Sequence, residues 1–308
     1  MNNLKVLFVC GGNNASGRSP NVDVQAEGMK KAGVDIEFFE IKGKGMQGYL
    51  KSVPALKDVL RKGHFDVIHA HYGLSGIVAF LAGAKPLIVT IMGSELHMNN
   101  LFLITMKFFS HFVWKKVIVQ SDKMKSVLGK NTVVLPNGVD ITRFSNTDTD
   151  EARKTTGFRT GRHVIWVSDP GRKEKNFALA KKVMDLLNRQ DVSLDVINGI
   201  PHDKIPFYFK AADVLLLTSK WEGSPIVVKE ALASGLPVVS TNAGNVKKLV
   251  SGIDGCYVTE NNAMELSEAL KKALEFSGRT NGLKNIAHLD ISSVSKTLRD
   301  IYLSMTKQ

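Results

Sequence analysis

The chain has 308 residues, enough for two domains that each bury a core, and its 44% hydrophobic and 23% charged residues exclude a disordered or fibrous protein. The formal net charge of +12 is divided evenly, with 18 Lys and Arg against 12 Asp and Glu in residues 1–150 and 23 against 17 in residues 151–308. An even spread argues against a dedicated nucleic-acid module and suits phosphorylated ligands or an anionic membrane surface.

The two cysteines, Cys10 and Cys256, lie 246 positions apart and suggest neither a disulfide framework nor a zinc site. The N-terminal residues pass directly into strand-like sequence without the pattern of a secretory signal. We therefore expect a protein of the reducing cytoplasm.

The first strand-like run ends in a loop that resembles the start of the low-molecular-weight tyrosine phosphatases, with the sequence VLFVCGGNNASGRSP at residues 6–20. That family has five residues between its Cys and its Arg, whereas seven separate Cys10 from Arg18 here. Two further residues add up to about 7 Å of chain, enough to pull the guanidinium away from a phosphate on the thiol. Cys10 is better interpreted as a small buried hydrophobe, and a cysteine phosphatase is kept as an alternative.

Short apolar runs alternate with helical stretches along the whole chain. The runs occupy residues 4–10, 36–42, 65–72, 86–92, 116–121 and 132–136, and then 163–169, 192–198, 213–219, 236–241 and 255–259. This alternation predicts an α/β protein with two Rossmann-like, doubly wound parallel sheets facing a central cleft.

We place the domain boundaries by composition. Residues 1–145 are expected to form an N-terminal Rossmann-like domain, and the polar residues 146–162 a linker. Residues 163–290 would form a second domain of the same kind, followed by a C-terminal helix at 291–308 that packs back on the first domain. Ligands should bind at loops that follow strands.

The segment richest in candidate binding residues is LTSKWEGSPIVVKEALASGLPVVSTN at residues 217–242. Ser224 and Pro225 fit the N-cap and first position of a helix, and Gly235 fits its end. The N–H groups at the start of such a helix bind anions, and Gly223 lets a ligand approach the backbone closely.

Glu230 follows Pro225 by five residues, roughly 7–8 Å along the helix axis, which suits a carboxylate that binds a ribose diol next to a diphosphate. The alternative is an exposed helical Glu. Arg172 and Lys175 follow the strand HVIWVSDP and suit a diphosphate leaving group, unless they are a solvated charged turn.

The segment EGSPIVVKE, a Glu-x7-Glu pattern around Gly-Ser-Pro, resembles the signature of the family-4 retaining glycosyltransferases of the GT-B fold. The resemblance covers nearly the whole chain, through VLPNGVDITRF, GRKEKN, FKAADVLLLTSKWEGSP and LPVVSTNAGNV. It implies transfer of a sugar from a UDP- or GDP-sugar to a saccharide or lipid-linked acceptor, in polysaccharide or glycoconjugate synthesis.

The resemblance also implies that residues 1–145 form the acceptor domain and residues 163–290 the nucleotide-sugar domain, and it implies roles for individual residues. Arg172 and Lys175 would neutralise the donor diphosphate, and Glu230 would hold the ribose. Contacts to the transferred sugar and the phosphates would come from Glu222 and from Gly223, Ser224, Pro225, Ile226 and Val227. Gly11, Gly12 and Arg18 would form an acceptor or phosphate loop.

Two departures from the family pattern concern the substrate more than the reaction. Many relatives have His-Gly where this chain has Met92-Gly93, so a side chain that reaches the donor sugar is missing or is replaced by Glu95 or His97. The Arg/Lys pair is closer than usual, with Asp169 near the position of an Arg. The further candidates for the site are His71, Gly93, Glu95, His97 and Asn137.

The resemblance implies a transfer that needs no protein nucleophile and in which the leaving diphosphate takes the acceptor's proton, and it implies no cofactor and no metal. The DxD sequence at Asp148 to Asp150 is interpreted as a solvated charge run and not as a metal site. A non-catalytic sugar-nucleotide-binding relative or a GT-B epimerase would preserve most of these motifs and stays an alternative.

Two features remain open. His69 and His71 lie two residues apart on one strand, and we expect at most one of them to line the ligand site. The apolar window at residues 101–116 is too short to span a bilayer and predicts either a core helix or an interfacial anchor, which would suit a lipid-linked acceptor and a peripheral position on the cytoplasmic membrane face.

Overall fold

The structure is a computed structural model that describes residues 4–13, 17–129, 131–158 and 160–306. The chain divides into two compact units, one of Met1–Gly138 with Ile291–Gln308 and one of Val139–Asp290. Residues 14–16 of the predicted phosphate loop and the last two residues of the predicted C-terminal helix lie outside the described residues.

The first unit is built on a six-stranded sheet whose strands are all parallel, in the order β2-β1-β3-β4-β5-β6 within the described residues. The strands are β1 (Leu4–Gly11), β2 (Val34–Ile41), β3 (Val67–His71), β4 (Leu87–Thr90), β5 (Lys116–Val119) and β6 (Thr132–Val134). The helices between them are α1 (Pro20–Lys31), α2 (Gly45–Leu50), α3 (Val53–Lys62), α4 (Gly73–Leu81), α5 (Asn100–Phe112) and α6 (Asp122–Leu128).

Both faces of this sheet are covered, as the side chains of β1 show. Val6 and Phe8 pack in one apolar cluster, together with residues of α1, whereas Leu7 and Val9 pack in another cluster with residues of α3 to α6. A central parallel strand between two helix layers is buried on both sides, which explains the continuous apolar run LKVLFVC.

The second unit has a parallel five-stranded sheet in the order β11-β10-β9-β7-β8. Its strands are β7 (Arg162–Val167), β8 (Val192–Ile197), β9 (Val214–Leu217), β10 (Val238–Thr241) and β11 (Tyr257–Thr259). Its helices are α7 (Ile141–Ser145), α8 (Thr149–Thr156), α9 (Phe177–Leu187), α10 (Ile205–Ala211), α11 (Ile226–Ala233), α12 (Val246–Leu249), α13 (Ala263–Glu275) and α14 (Leu283–Ile286), and α15 (Ile291–Thr306) follows in the first unit. Every predicted strand is present, and the α/β prediction of two parallel-sheet domains is confirmed.

The boundary between the units lies seven residues earlier than the predicted end of the first domain at 145. Val139 forms a parallel bridge with Asp290, and Phe144 is buried in the second core with its ring 5.6 Å from that of Phe209. The segment VDITRF therefore belongs to the second unit, because its apolar side chains are buried there.

The predicted linker at 146–162 is also corrected, because it contains the helix α8. Asp148 caps this helix by accepting N–H bonds from Asp150 and Glu151, at 3.0 and 2.9 Å, so the DxD sequence has a structural role. Ala152 is fully buried on the inner side of the helix. A helix that buries so little apolar surface leaves almost no periodic signal in the sequence.

The C-terminal helix α15 packs on α1 and reaches β3 within the first unit. Gly28 of α1 permits this approach, because a Cβ atom at that position would clash with Ser295 and Ile291. Further along α15, Tyr302 is fully buried with its hydroxyl 2.5 Å from Nδ1 of His69. The helix is thus part of the first core.

Candidate active site

A partly buried ion pair joins two of the predicted catalytic residues. Lys175 lies on a short 3-10 turn (Lys173–Lys175) between β7 and α9, and its Nζ is 2.5 Å from Oε1 of Glu222. Both side chains are only 15% exposed. The pair links the loop after β7 to the loop after β9, whose strands are neighbours in the sheet.

Glu222 is held by residues that the sequence reasoning missed. Ser219 Oγ donates to the same Oε1 at 2.7 Å, and the Ser219 carbonyl accepts a bond of 2.6 Å from Thr241 Oγ1. Thr241 ends β10, the strand beside β9. Polar residues at the ends of adjacent parallel strands are the signal that could have identified these groups.

Arg172 is not brought to the same carboxylate. Its guanidinium lies 2.6 Å from Glu174 Oε1 and its side chain is 55% exposed. Asp169 shapes the turn, since Oδ1 accepts from Gly171 N at 2.8 Å and the carbonyl accepts from Arg172 N at 3.1 Å. The predicted Arg/Lys pair therefore consists of one buried and one exposed cation on a single turn.

The helix α11 begins at Ile226 with Pro225 as its N-cap, one residue later than predicted, because Pro225 itself is extended at φ −67° and ψ 119°. Among the described residues no side chain caps this N-terminus. The predicted cap by Ser224 is wrong: its Oγ is buried and, within the described ranges, makes no hydrogen bond. The loop thus presents a buried hydroxyl together with the amides of Ile226 and Val227, a combination suited to an anion.

A glycine in the next loop supports this segment by close backbone contact. A Cβ atom on Gly244 would lie 2.7 Å from the Gly223 carbonyl oxygen and 2.9 Å from that of Glu222. Gly244 also has φ +63°, in the left-handed region that favours glycine. The sequence signal was its place in STNAGNV directly after β10.

Glu230 is buried on α11, so the alternative of an exposed helical Glu is wrong. Its Oε1 is 3.6 Å from His202 Nε2. The other ring nitrogen, His202 Nδ1, is 3.1 Å from Nη1 of Arg143. A guanidinium only donates, so Nδ1 must accept and Nε2 carries the proton that faces Glu230. Beside it, burial lowers the pKa of the Lys229 ammonium to about 7, an effect that the Glu230 carboxylate opposes.

The first unit has its own pocket, of about 250 Å³, at the carboxyl ends of β1, β3 and β4. Its lining consists of Cys10, Gly11, Asn13, Ser19, Val22, Tyr49, His71, Tyr72 and Met92. Gly11 is required here, because a Cβ atom would come within 2.8 Å of the Tyr49 hydroxyl. The pocket unites aromatic faces with a few polar groups, a lining typical of small-molecule sites.

The two histidines of β3 have different environments. His69 is satisfied on both nitrogens, by Tyr302 at 2.5 Å and Thr90 at 2.7 Å. His71 stacks on His69 at 4.2 Å and lines the pocket, and its buried Nε2 has no hydrogen-bond partner in the described part of the chain. Burial lowers the pKa of His71 to about 3, so the ring is neutral at physiological pH.

Arg18 lies in an ion-pair network and not among uncompensated anion-binding groups. It pairs with Glu40 and, at 2.8 Å, with Asp23, and its guanidinium stacks 4.0 Å from the Phe38 ring centre. Gly12 packs against Glu40, where a Cβ atom would be 3.0 Å from the side chain. The charge of the Arg18 guanidinium is therefore already neutralised by two carboxylates.

The phosphatase alternative lacks its nucleophile as well. Burial raises the pKa of the Cys10 thiol to about 12, which leaves it protonated at neutral pH. With Arg18 also paired, the loop after β1 has neither the thiolate nor the uncompensated guanidinium that cysteine phosphatase chemistry requires.

Glu95 has a structural position instead of reaching toward a substrate. Its carboxylate is fully buried and accepts backbone bonds from Gly93 at 2.9 Å, Met92 at 3.1 Å and Gly73 at 3.2 Å. It therefore clamps the loops after β3 and β4. His97 is exposed at the end of the adjoining 3-10 turn.

Asn137 is not among the residues that line the pocket. Its backbone N–H donates to Gln120 Oε1 at 2.8 Å. Gly93 has φ +112° and makes the turn that Glu95 clamps. In the ranges that the structure describes, no three His, Cys, Asp or Glu side chains are grouped as metal ligands would be.

Two family models match the chain, one in each half. Residues 17–143 match Glycosyltransferase Family 4, and residues 191–288 match Glycosyl transferases group 1. TuaC of Bacillus subtilis (strain 168), whose name assigns it to teichuronic acid biosynthesis, is 26% identical over 67% of this chain and 61% of its own length. The UDP-Gal:alpha-D-GlcNAc-diphosphoundecaprenol alpha-1,3-galactosyltransferase of Escherichia coli is 25% identical over 83% of this chain and 80% of its own.

Solved structures share the fold over the whole length. Sucrose-phosphate synthase from Thermosynechococcus elongatus superposes with a TM-score of 0.82 at 16% identity, covering 98% of both chains. HepE of Anabaena, solved in complex with UDP-glucose, gives a TM-score of 0.72 at 17% identity over 98% of this chain and 100% of its own. Both halves of the chain match glycosyltransferase family models, so the chain belongs to the family-4, group 1 glycosyltransferases, and the solved structures show that it has the GT-B fold.

Proposed function

We propose that the protein is a retaining, metal-independent glycosyltransferase of the cytoplasm that moves a sugar from a UDP- or GDP-sugar to a saccharide or lipid-linked acceptor. Polysaccharide or glycoconjugate synthesis is the process that such a reaction serves. A lipid-linked acceptor would be met at the cytoplasmic face of a membrane. The observation that carries the proposal is the Lys175–Glu222 pair beside the uncapped N-terminus of α11.

The donor is assigned to the second unit because its groups match the parts of a nucleotide sugar. The amides of Ile226 and Val227 and the Ser224 hydroxyl would bind phosphate oxygens, assisted by the Lys175 ammonium. Arg172 is exposed and can exchange Glu174 for the diphosphate. Glu230, about one helical turn after Ile226 on α11, would accept hydrogen bonds from the ribose hydroxyls.

The reaction is proposed to proceed on one face of the sugar. The bond from the anomeric carbon to the diphosphate oxygen breaks, the acceptor oxygen bonds to that carbon, and the acceptor's proton passes to the leaving diphosphate. The protein then acts by positioning both substrates and by stabilising the negative charge that develops on the leaving group. Lys175, Arg172 and the helix N-terminus are the groups that would meet this charge.

The acceptor is assigned to the pocket of the first unit. His71 offers a neutral ring with an Nε2 that has no partner in the described residues, and Tyr49 and Tyr72 offer flat apolar faces. Sugar rings bind aromatic faces through their C–H surfaces and polar groups through their hydroxyls. His71→Ala should therefore raise the KM for the acceptor more than that for the donor.

The relatives support the same substrate classes. HepE was solved with UDP and glucose as well as with UDP-glucose, and the E. coli galactosyltransferase is named for a UDP-sugar donor and a diphosphoundecaprenol acceptor. Both proteins are distant from this chain in sequence, so the donor base and sugar of this chain are left to experiment.

The test is a thermal-unfolding screen with UDP-, GDP- and ADP-sugars, followed by a turnover assay with the ligand that stabilises. A ligand at about 100 times its Kd stabilises the native state by about 2.7 kcal/mol, which raises the Tm visibly for a chain of this size. Stabilisation with acceptor-dependent release of nucleotide supports the proposal. Stabilisation without turnover would identify a binding protein, and conversion of the donor into its epimer would identify an epimerase. If no nucleotide sugar stabilises the protein, the proposal is contradicted.

A further inference from the structure

The helix α5 exposes large apolar side chains along one side. Leu101, Ile104, Phe108 and Phe112 are 74%, 63%, 55% and 78% exposed, and we call these four residues the α5 face. The opposite side of the same helix is buried through Phe102, Met106 and Ser110. The prediction of a core helix at 101–116 therefore accounts for only half of its apolar residues.

The α5 face forms one continuous stripe. Spacings of three, four and four residues place the four side chains within roughly 80° of the helix circumference. Phe80 and Leu81 at the end of α4 are 42% and 49% exposed and extend the apolar surface, since the Phe80 ring lies 5.6 Å from that of Phe109 on α5. A contiguous apolar surface of this kind marks an interaction site.

The charge around this stripe has a single sign. Residues 96–121 contain no Asp or Glu; their charged side chains are Lys107, Lys115 and Lys116, and they also contain His97 and His111. Lys107 on α5 and Lys115, three residues beyond the end of the helix, are both exposed. Apolar side chains bordered by cations complement the headgroups and outer acyl region of an anionic lipid surface, whereas a protein partner would have to supply its own acidic rim.

The helix has 13 residues, about 20 Å of length, and among the described residues no helix is long and apolar enough to cross a bilayer. We infer that α5 lies in the plane of an anionic membrane surface, with the α5 face among the lipids and Lys107 and Lys115 at the phosphates. This inference rests on the first unit alone and does not depend on the proposed sugar transfer. It supplies a place where a lipid-linked acceptor would reach the enzyme.

The experiment is cosedimentation of the full chain with vesicles of phosphatidylcholine alone or with about 30% phosphatidylglycerol. The test variant carries Ile104→Ser, Phe108→Ser and Phe112→Ser, positions so exposed that folding should be preserved. The control carries Leu186→Ser and Met264→Ser in the second unit, which are 47% and 70% exposed. Circular dichroism and thermal unfolding verify that both variants fold.

The wild type and the control should bind anionic vesicles, and the triple serine variant should bind at least about tenfold more weakly. Lys107→Gln with Lys115→Gln should weaken binding several-fold, as should raising the salt from about 0.1 to about 0.5 M. The inference is overturned if the wild type does not bind, or if the triple variant binds as well as the control. It is also overturned if the wild type is a dimer that does not bind vesicles and the triple variant is a monomer, because a second copy of the chain would then cover the α5 face.

Discussion

Replacing Lys175 by Gln should distinguish the role of the partly buried cation in the proposed donor site from that of the exposed cation Arg172. The substitution removes the ammonium 2.5 Å from Glu222 Oε1 and leaves this carboxylate with the Ser219 hydroxyl at 2.7 Å. The side chain of Glu222 stays mostly buried, so water replaces the lost partner only in part. Both the free energy of unfolding and kcat/KM should therefore decrease.

The magnitude follows from the burial of the pair. Exposed ion pairs contribute up to about 1 kcal/mol, and removing one partner of a fully buried pair costs about 3–5 kcal/mol. At 15% exposure for both side chains, Lys175→Gln should lower the free energy of unfolding by about 2 kcal/mol. Loss of a charge-assisted contact to the diphosphate should lower kcat/KM by about ten- to hundredfold.

Arg172→Gln is the matched control, since Arg172 sits on the same turn but pairs with Glu174 at 55% exposure. Its unfolding free energy should change by less than about 1 kcal/mol, while kcat/KM still falls. Urea unfolding and initial-rate kinetics on both variants give the comparison. Equal losses of stability, or full turnover by Lys175→Gln, would refute the reasoning from burial.

Three other predictions concern the remaining chemistry. Cys10→Ser should keep sugar transfer within a few-fold while the wild type hydrolyses no aryl phosphate; a phosphatase activity that disappears with Cys10 would reverse the assignment of this loop. EDTA should leave transfer intact if, as proposed, cationic side chains and a helix N-terminus meet the diphosphate charge; loss of activity that magnesium or manganese restores would show a metal-bound donor. Burial brings the pKa of Lys229 from its ordinary value of 10.5 to about 7. The unfolded chain thus binds this proton throughout the range from about pH 7 to 10 while the folded chain does not, and stability should rise with pH by up to about 1.4 kcal/mol per unit. Urea unfolding at pH 7 and 9 should show this rise in the wild type and not in Lys229→Met; the same slope in both would disprove it.

The strands were predictable because buried parallel strands leave a strong signal. Each is a short run of β-branched and aromatic residues bounded by Gly, Pro or polar residues, as in LKVLFVC and HVIWVSD. The helix α8 left no such signal, since Ala152 is its one buried residue in the described structure. A linker was consequently predicted at residues 146–162, where the second unit has a helix.

Residue types at the site were more predictable than their partners. The sequence indicates a cation at Arg18, but only the parallel register that sets Cys10 beside Glu40 shows that a carboxylate from β2 reaches it. Likewise, Ser224-Pro225 fits a helix start, and the extended ψ of Pro225 delays the helix by one residue. Both outcomes depend on tertiary contacts or on one dihedral angle, which composition and spacing do not encode.

The most direct test of the donor-site assignment compares nucleotide binding by the wild type and by Glu230→Gln. If the buried Glu230 carboxylate holds the ribose diol, Glu230→Gln should weaken binding of the preferred nucleoside diphosphate by about ten- to hundredfold, because a charge-assisted bond is lost. By calorimetry, the wild type should discriminate strongly against the 2′,3′-dideoxy nucleotide, and the variant should bind both nucleotides about equally weakly. A variant that folds normally and keeps the wild-type preference for the intact ribose would contradict the assignment of the donor to α11.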